Sequence, residues 1–198
     1  MDEPAVDYAM LGWPADSPTL RLDYRRFAYA GKFVMSSTGK AVAYAPGRGD
    51  PDDPEAVLAA AAFDPDRTDP DTLKLRYLTV RQDARSGGLG ARLSAFVVAR
   101  AAGRGFDRVA IGVNNAFSYE ALYKAGFAWT GETSGLAELV LARPADRPAD
   151  RPADADGERY REGLDRFRGR EGLDDAERAF LDDRRDADPP ALVSGPGT

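Results

Sequence analysis

The chain has 198 residues, 43% of them apolar, with a formal net charge of −6 and neither Cys nor His. That length accommodates one well-cored domain and an appendage. The missing residue types exclude disulfides, cysteine nucleophiles, zinc clusters, Ser-His-Asp triads and imidazole acid/base chemistry. Catalysis has to rely on carboxylates, Tyr, Lys, Ser, Thr, backbone amides or water, and no metal centre is expected. No apolar run approaches the ~18 residues a membrane helix needs.

In chain order, short strands are predicted at Thr19 to Tyr24 and Ala41 to Ala45, with a mixed segment from Arg25 to Met35 between them. Two firmer strands come next, Val57 to Phe63 and Leu73 to Val80, joined by a turn-rich stretch of Asp and Pro from Asp64 to Asp71. Leu89, Leu93, Phe96 and Val97 then define one face of a helix bounded by Gly87 and Gly88 before it and Gly103 after it. Val109, Ile111 and Val113 alternate as in a strand. A short helix is predicted from Ser118 to Lys124, with Ser118 as N-cap, Gly126 as C-cap and a staple between Phe117 and Leu122. Phe127 to Thr130 and Leu136 to Leu141 read as closing strands, giving the order β-β-α-β-α-β-β from Val57 onward.

Residues 1–143 thus form the domain, and the triple Arg-Pro-Ala-Asp repeat from Arg143 opens an extended linker over residues 144–157. Beyond it, Tyr160, Leu164 and Phe167 fall at i, i+4 and i+7, and Leu173, Phe180 and Leu181 add a second apolar stripe. Residues 158–185 therefore read as a charged helical tail, either loosely attached or packed on the domain or a partner. Residues 186–198 read as disordered.

Acid is concentrated in the tail: residues 144–198 carry 15 acids and 10 bases, against 18 and 17 in residues 1–143. The chain has 24 Asp against 9 Glu and 23 Arg against 4 Lys, a bias that fits either a salt-loaded cytoplasm or a GC-rich genome. No basic stripe suggests a nucleic-acid partner, and none of the pattern suggests a membrane partner. The acidic opening Met-Asp-Glu-Pro lacks the layout of a secretory signal, which predicts a cytoplasmic location.

The string from Leu78 through Arg85, Ser86, Gly87, Gly88, Leu89 and Gly90 runs from strand to helix through glycines. A helix N-terminus offers unpaired N–H groups and partial positive charge, and glycine lets the backbone close on an anion. The same glycines would also serve a simple tight turn. A P-loop is excluded, because neither Gly31-Lys32 nor Gly39-Lys40 precedes Ser or Thr. A dinucleotide fingerprint fails too, with Leu93 where its third glycine belongs and Asn114 where its acid belongs.

The spacing Arg85-x-x-Gly88-x-Gly90 resembles the Q/R-x-x-G-x-G/A pyrophosphate signature of the GNAT superfamily of N-acetyltransferases. Downstream, Asn114-Asn115, Tyr119, Tyr123 and Gly126-Phe127 are similar to that family's second motif, and the resemblance spans roughly Val57 to Arg143. It implies an α/β (α+β) fold with a mixed, largely antiparallel sheet, splayed at two parallel middle strands and flanked by helices. It further implies acetyl-CoA as acyl donor, its pantetheine along the backbone of Leu78, Thr79 and Val80. The pyrophosphate would lie on the amides from Arg85 to Ala91. Asn115 would bond the pantetheine or fix the start of the next helix. A primary amine would attack the thioester directly in a ternary complex.

The resemblance also implies a Tyr that protonates the departing thiolate. The family places it four residues before the Gly of Gly-Phe, where this chain has Leu122, so Tyr123 is expected in that role with Tyr119 in reserve. No carboxylate occurs in Leu73 to Val80 to act as base, which leaves water, Glu132 or Glu138. Trp129 and Tyr77 are expected either to line the acceptor pocket or to pack. With the acidic composition, the resemblance is to a family member of halophilic archaeal type, and a homodimer is compatible with it. The alternative is a non-catalytic acyl-CoA-binding module with a protein-interaction tail.

Overall fold

The computed structural model describes residues 5–135, 138–150 and 156–195. One seven-stranded sheet runs in the order β1-β2-β3-β4-β5-β7-β6, from β1 (Asp7–Gly12), β2 (Gly39–Tyr44), β3 (Val57–Pro65), β4 (Thr72–Val80), β5 (Arg108–Val113), β6 (Ala128–Ser134) and β7 (Glu138–Pro144). Every neighbouring pair is antiparallel except β4 with β5, which lie parallel in the middle. Four helices complete the fold: α1 (Leu89–Ala102), α2 (Ala116–Lys124), α3 (Asp156–Arg168) and α4 (Asp175–Asp183). No helix among the described residues is long and apolar enough to cross a membrane.

Strand β3, third from the β1 edge, is buried on both faces from Val57 to Phe63. Its run of alanines lets two layers approach closely. Ala59 and Ala61 face α1 with Leu93, Phe96 and Val97, whereas Ala60 and Ala62 face Leu20, Phe27, Ala30 and Phe33. This second layer corrects the N-terminal reading. Thr19 to Tyr24 forms no strand; the edge strand is β1, and Leu20 is tied to Phe33 by a backbone hydrogen bond of 3.1 Å. Periodicity misled because Leu20 and Leu22 sit in an irregular cover over the sheet, which shows alternation without pairing.

Helix α2 starts earlier than predicted. Asn115, not Ser118, is its N-cap, accepting the Ser118 N–H at 2.8 Å, and Ala125 closes it. The Phe117–Leu122 staple is absent: Leu122 is buried in the core, while Phe117 is exposed and its ring lies 4.6 Å from that of Phe180.

The apolar stripe of the tail turns inward. Tyr160, Leu164, Phe167 and Leu181 are each at most 1% exposed and belong to the same core as α1 and α2. A capping box between Asp174 and Glu177 starts α4. Gly163 allows α3 to lie directly on the Tyr119 phenol, which any Cβ there would strike. From Asp186 to Gly195 the chain has no regular structure, and the Val193 N–H donates to Lys124 O at 2.8 Å. Part of the predicted linker, residues 151–155, lies outside the described residues, as do residues 196–198 of the predicted disordered end.

A polar cluster clamps this packing. Arg184, just beyond α4, forms a two-pronged ion pair with Glu120 of α2, to which Lys124 adds a contact at 2.9 Å and Tyr160 a phenolic hydrogen bond at 3.3 Å. Burial raises the Glu120 carboxyl pKa, but hydrogen bonds from Arg184 and Lys124 outweigh it and hold the group below its ordinary value. Burial and the neighbouring carboxylate push the Tyr160 phenol up. A depressed folded-state pKa stabilises fully above the unfolded Glu value of about 4.3, and that stability is lost as pH falls through the lower folded value. Glu120→Gln is expected to cost about 2 kcal/mol at pH 7, below the usual cost of breaking a buried pair because Arg184 is partly exposed. Thermal melts at pH 7 and pH 4 check this: the gap between variant and parent should narrow in acid, and an equal gap at both would refute it.

Candidate active site

Pairing between β4 and β5 covers only Thr72↔Arg108 to Leu75↔Ile111, although β4 continues to Val80 and β5 to Val113. The two strands therefore part beyond Leu75. The cause is local: β3 and β4 pair at Phe63↔Leu75 and then at Ala62↔Tyr77, so Arg76 is an extra residue in β4. Such a bulge bends a strand and switches the facing of the residues beyond it. Leu73 and Leu75 face α1 before it, and Leu78 and Val80 after it, while Tyr77 turns to the other side.

At the open end of this split stands the glycine loop. The backbone turns through a short helical turn at Gln82–Ala84, then takes left-handed conformations at Ser86 (φ 75°) and Gly88 (φ 72°) before α1 begins at Leu89. Gly88 is required by that φ, and an added Cβ there would meet nothing within 4 Å, so the loop faces open space. Gly90 matters for a different reason: a Cβ there would come to 3.3 Å from Val80 Cγ2, a tight contact with a side-chain methyl. The short side holds α1 close against β4. Ser86, a non-glycine residue, bears a left-handed cost of about 1 kcal/mol, the kind of local strain retained at functional sites.

The first backbone bond of α1 runs from the Arg92 N–H to Gly88 O at 3.0 Å. The N–H groups of Leu89, Gly90 and Ala91 consequently have no acceptor among the described residues and point out of the helix start. Arg85, Ser86 and Gly87 are exposed beside them, and Arg92 donates to Gly87 O at 3.1 Å, which adds positive charge. Arg81 anchors the entry to the loop through the carbonyls of Glu55 and Val57 and a 2.6 Å contact with Asp83. Nothing in its spacing distinguished Arg81 beforehand. In the split, Leu78 and Val80 are half-buried, and Thr79 is buried with no hydrogen-bond partner for Oγ1. An orphaned buried hydroxyl is costly.

The second motif is arranged differently from expectation. Asn115 caps α2 and donates to Asn114 Oδ1 at 3.1 Å, the helix-fixing alternative of its two predicted roles. Arg170 donates to Asn114 O, which places the α3–α4 turn beside that asparagine pair. Tyr119 and Tyr123 are both fully buried. The Tyr119 phenol contacts Tyr123 Oη and donates towards Tyr160 O, each at 3.3 Å, while Tyr123 Oη accepts the Trp129 N–H at 3.0 Å. Their rings pack on Tyr160 and Phe167.

The expectation of a tyrosine acid thus falls on two fully buried phenols. A proton donor has to reach the reacting sulfur, whereas these phenols are sealed beneath α3. The one-residue offset from the family spacing is the sequence signal for it, since one helical step turns a side chain about 100°. The double variant Tyr119→Phe/Tyr123→Phe should keep thiol release within about threefold of the parent, a negligible transition-state effect, and lose about 1–3 kcal/mol of stability. A hundredfold loss of turnover with an unchanged melting temperature would assign the acid role to these tyrosines. Trp129 is likewise buried, its Nε1 donating to Glu132 O at 2.9 Å, whereas Tyr77 lies half-buried 5.9 Å from the Tyr29 ring. Glu132 is exposed and Glu138 half-buried at the start of β7.

A central parallel pair opened by a bulge, with a glycine turn and a bare helix start at its mouth, defines an acetyltransferase-like fold. The sequence profile of the Acetyltransferase (GNAT) family matches residues 4–127, and the chain belongs to that family. Among solved structures it is similar to an IAA acetyltransferase from Bacillus cereus, at 18% identity and a TM-score of 0.51 over 71% of this chain and 99% of that one. It is also similar to a Bacillus subtilis acetyltransferase in complex with CoA, at 14% identity and a TM-score of 0.50 over 70% and 97%. At these identities the likeness establishes the fold. No curated protein sequence matches the chain.

Proposed function

We propose that the chain is an N-acetyltransferase that binds acetyl-CoA along the split and passes its acetyl group to a primary amine by direct attack. One observation carries the reading: the amides of Leu89, Gly90 and Ala91, unbonded among the described residues, converge beside the open cradle at Gly88 where β4 leaves β5. Those amides, with Ser86 and Gly87, would take the pyrophosphate, and the positive end of α1 favours it. The freed edge of β4 from Leu78 to Val80 would pair with the pantetheine arm as an added strand does. Bound there, the donor supplies an activated thioester. The protein's part is to hold it against the split and admit an amine from the far side.

The CoA in the Bacillus subtilis relative supports the same ligand here. Calorimetry with acetyl-CoA, then thiol release across a panel of primary amines, tests the proposal. Saturable binding with release for at least one amine is expected, and no binding would end it. Burial of Tyr160, Leu164, Phe167 and Leu181 in the domain core favours the enzyme over a module whose tail is kept free for partners.

A further inference from the structure

We propose that Glu138 is a catalytic residue of this site, its carboxylate meeting the acceptor amine at the mouth of the split and taking a proton from it. The inference rests on the acyl-transfer reading above. It starts from Gly112, the first residue of β5 beyond its last rung with β4. Ile111 and Val113 face the α1 core, so alternation turns position 112 to the opposite face of the sheet. An ideal Cβ on Gly112 would lie 2.7 Å from Glu138 Oε2 and 3.3 Å from Ser134 Oγ. Glycine is what permits the carboxylate to lie across β5 where the sheet opens; any side chain there would displace it.

The carboxylate is also held ready for a cation. Ser134 Oγ donates to Oε2 at 3.3 Å, and among the described residues no Lys or Arg forms an ion pair with Glu138. Tyr77 and the unpartnered hydroxyl of Thr79 occupy β4 on the same face, opposite α1. A half-buried carboxylate without a cationic partner, facing a gap between strands, suits an alkylammonium ion. An amine protonated at neutral pH cannot attack until it loses that proton.

Glu138 removes one proton from the ammonium, and the freed lone pair forms the C–N bond to the acyl carbon. The C–S bond breaks with its electron pair on sulfur, and a second N–H proton passes to that sulfur. The products are the amide and the free thiol, and the Glu138 proton returns to water.

Glu138→Gln keeps the shape and the Ser134 contact and removes the charge. With the alkylamine that the parent turns over fastest, kcat/KM should fall by about 10²–10⁴, the span of general base catalysis. With methoxyamine, which is already largely neutral at neutral pH, the loss should stay under about fivefold, since no proton need be removed. Without acyl donor, affinity for the same alkylamine should fall about tenfold by calorimetry, as expected for a lost charge-assisted contact. Acetyl-CoA affinity and melting temperature should match the parent and the surface control Glu162→Gln. Alkylamine turnover within about threefold of the parent, or equal losses on both amines, would overturn the role of Glu138. A parent protein that releases no thiol with any amine would instead overturn the acyl-transfer reading.

Discussion

Gly88→Glu is expected to remove acetyl-CoA binding, with an affinity loss of at least about a hundredfold, or about 3 kcal/mol, while the protein stays folded. Two effects act together at this position. Gly88 has φ 72°, which a non-glycine residue adopts at about 1 kcal/mol; the loop therefore tends to relax and turn the Leu89, Gly90 and Ala91 amides off their common point. A carboxylate at the helix start then occupies the positive end of α1 and repels an incoming pyrophosphate. Steric damage to the protein itself is small, because a Cβ at Gly88 meets nothing within 4 Å. Calorimetry with acetyl-CoA and a thermal melt separate these terms. Binding within tenfold of the parent in a folded variant would show that the loop does not hold the pyrophosphate.

Truncation after Ala149 should leave a chain that does not fold on its own. It removes Tyr160, Leu164, Phe167 and Leu181, each at most 1% exposed, and uncovers Tyr119 and Tyr123, which they enclose. At about 1.5–3 kcal/mol for each fully buried large side chain, the lost burial alone is roughly 6–12 kcal/mol. A domain's whole stability is about 5–15 kcal/mol. Glu120 would also lose Arg184 and the Tyr160 hydrogen bond, leaving its carboxylate on α2 with Lys124. Circular dichroism and limited proteolysis check the outcome. A cooperative melt within a few degrees of the full chain would show that the last two helices are an appendage after all.

The same residues mark how far the sequence could be read. The stripe of Tyr160, Leu164 and Phe167 read as one face of an amphipathic helix, and in the structure that face is buried. Periodicity states that a side is covered but not what covers it, so an acidic tail behind a proline-rich stretch read equally well as loose or docked. At the other end, the cover from Leu20 to Phe33 buries apolar groups without regular hydrogen bonding, and period-based rules have no pattern to detect there. The bulge at Arg76 was likewise invisible, since its only signature is a change of facing, from Leu73 and Leu75 to Leu78 and Val80, relative to strands not yet placed.

Sequence alone determined the glycine loop and its neighbours. The glycines that separate a strand ending near Val80 from a helix beginning near Leu89 act through short-range backbone sterics, within a few residues. Tertiary structure decided the fate of the two tyrosines and the place of Glu138. Tyr119 and Tyr123 share one face of α2 in any reading, yet only the packing of α3 determines that this face is sealed. The Glu138 carboxylate lies over β5 only because β7 pairs with β5 and Gly112, on the rung with Val140, has no side chain to block it. Both outcomes depend on which segments, distant in sequence, come to lie against one another, a property no local pattern encodes.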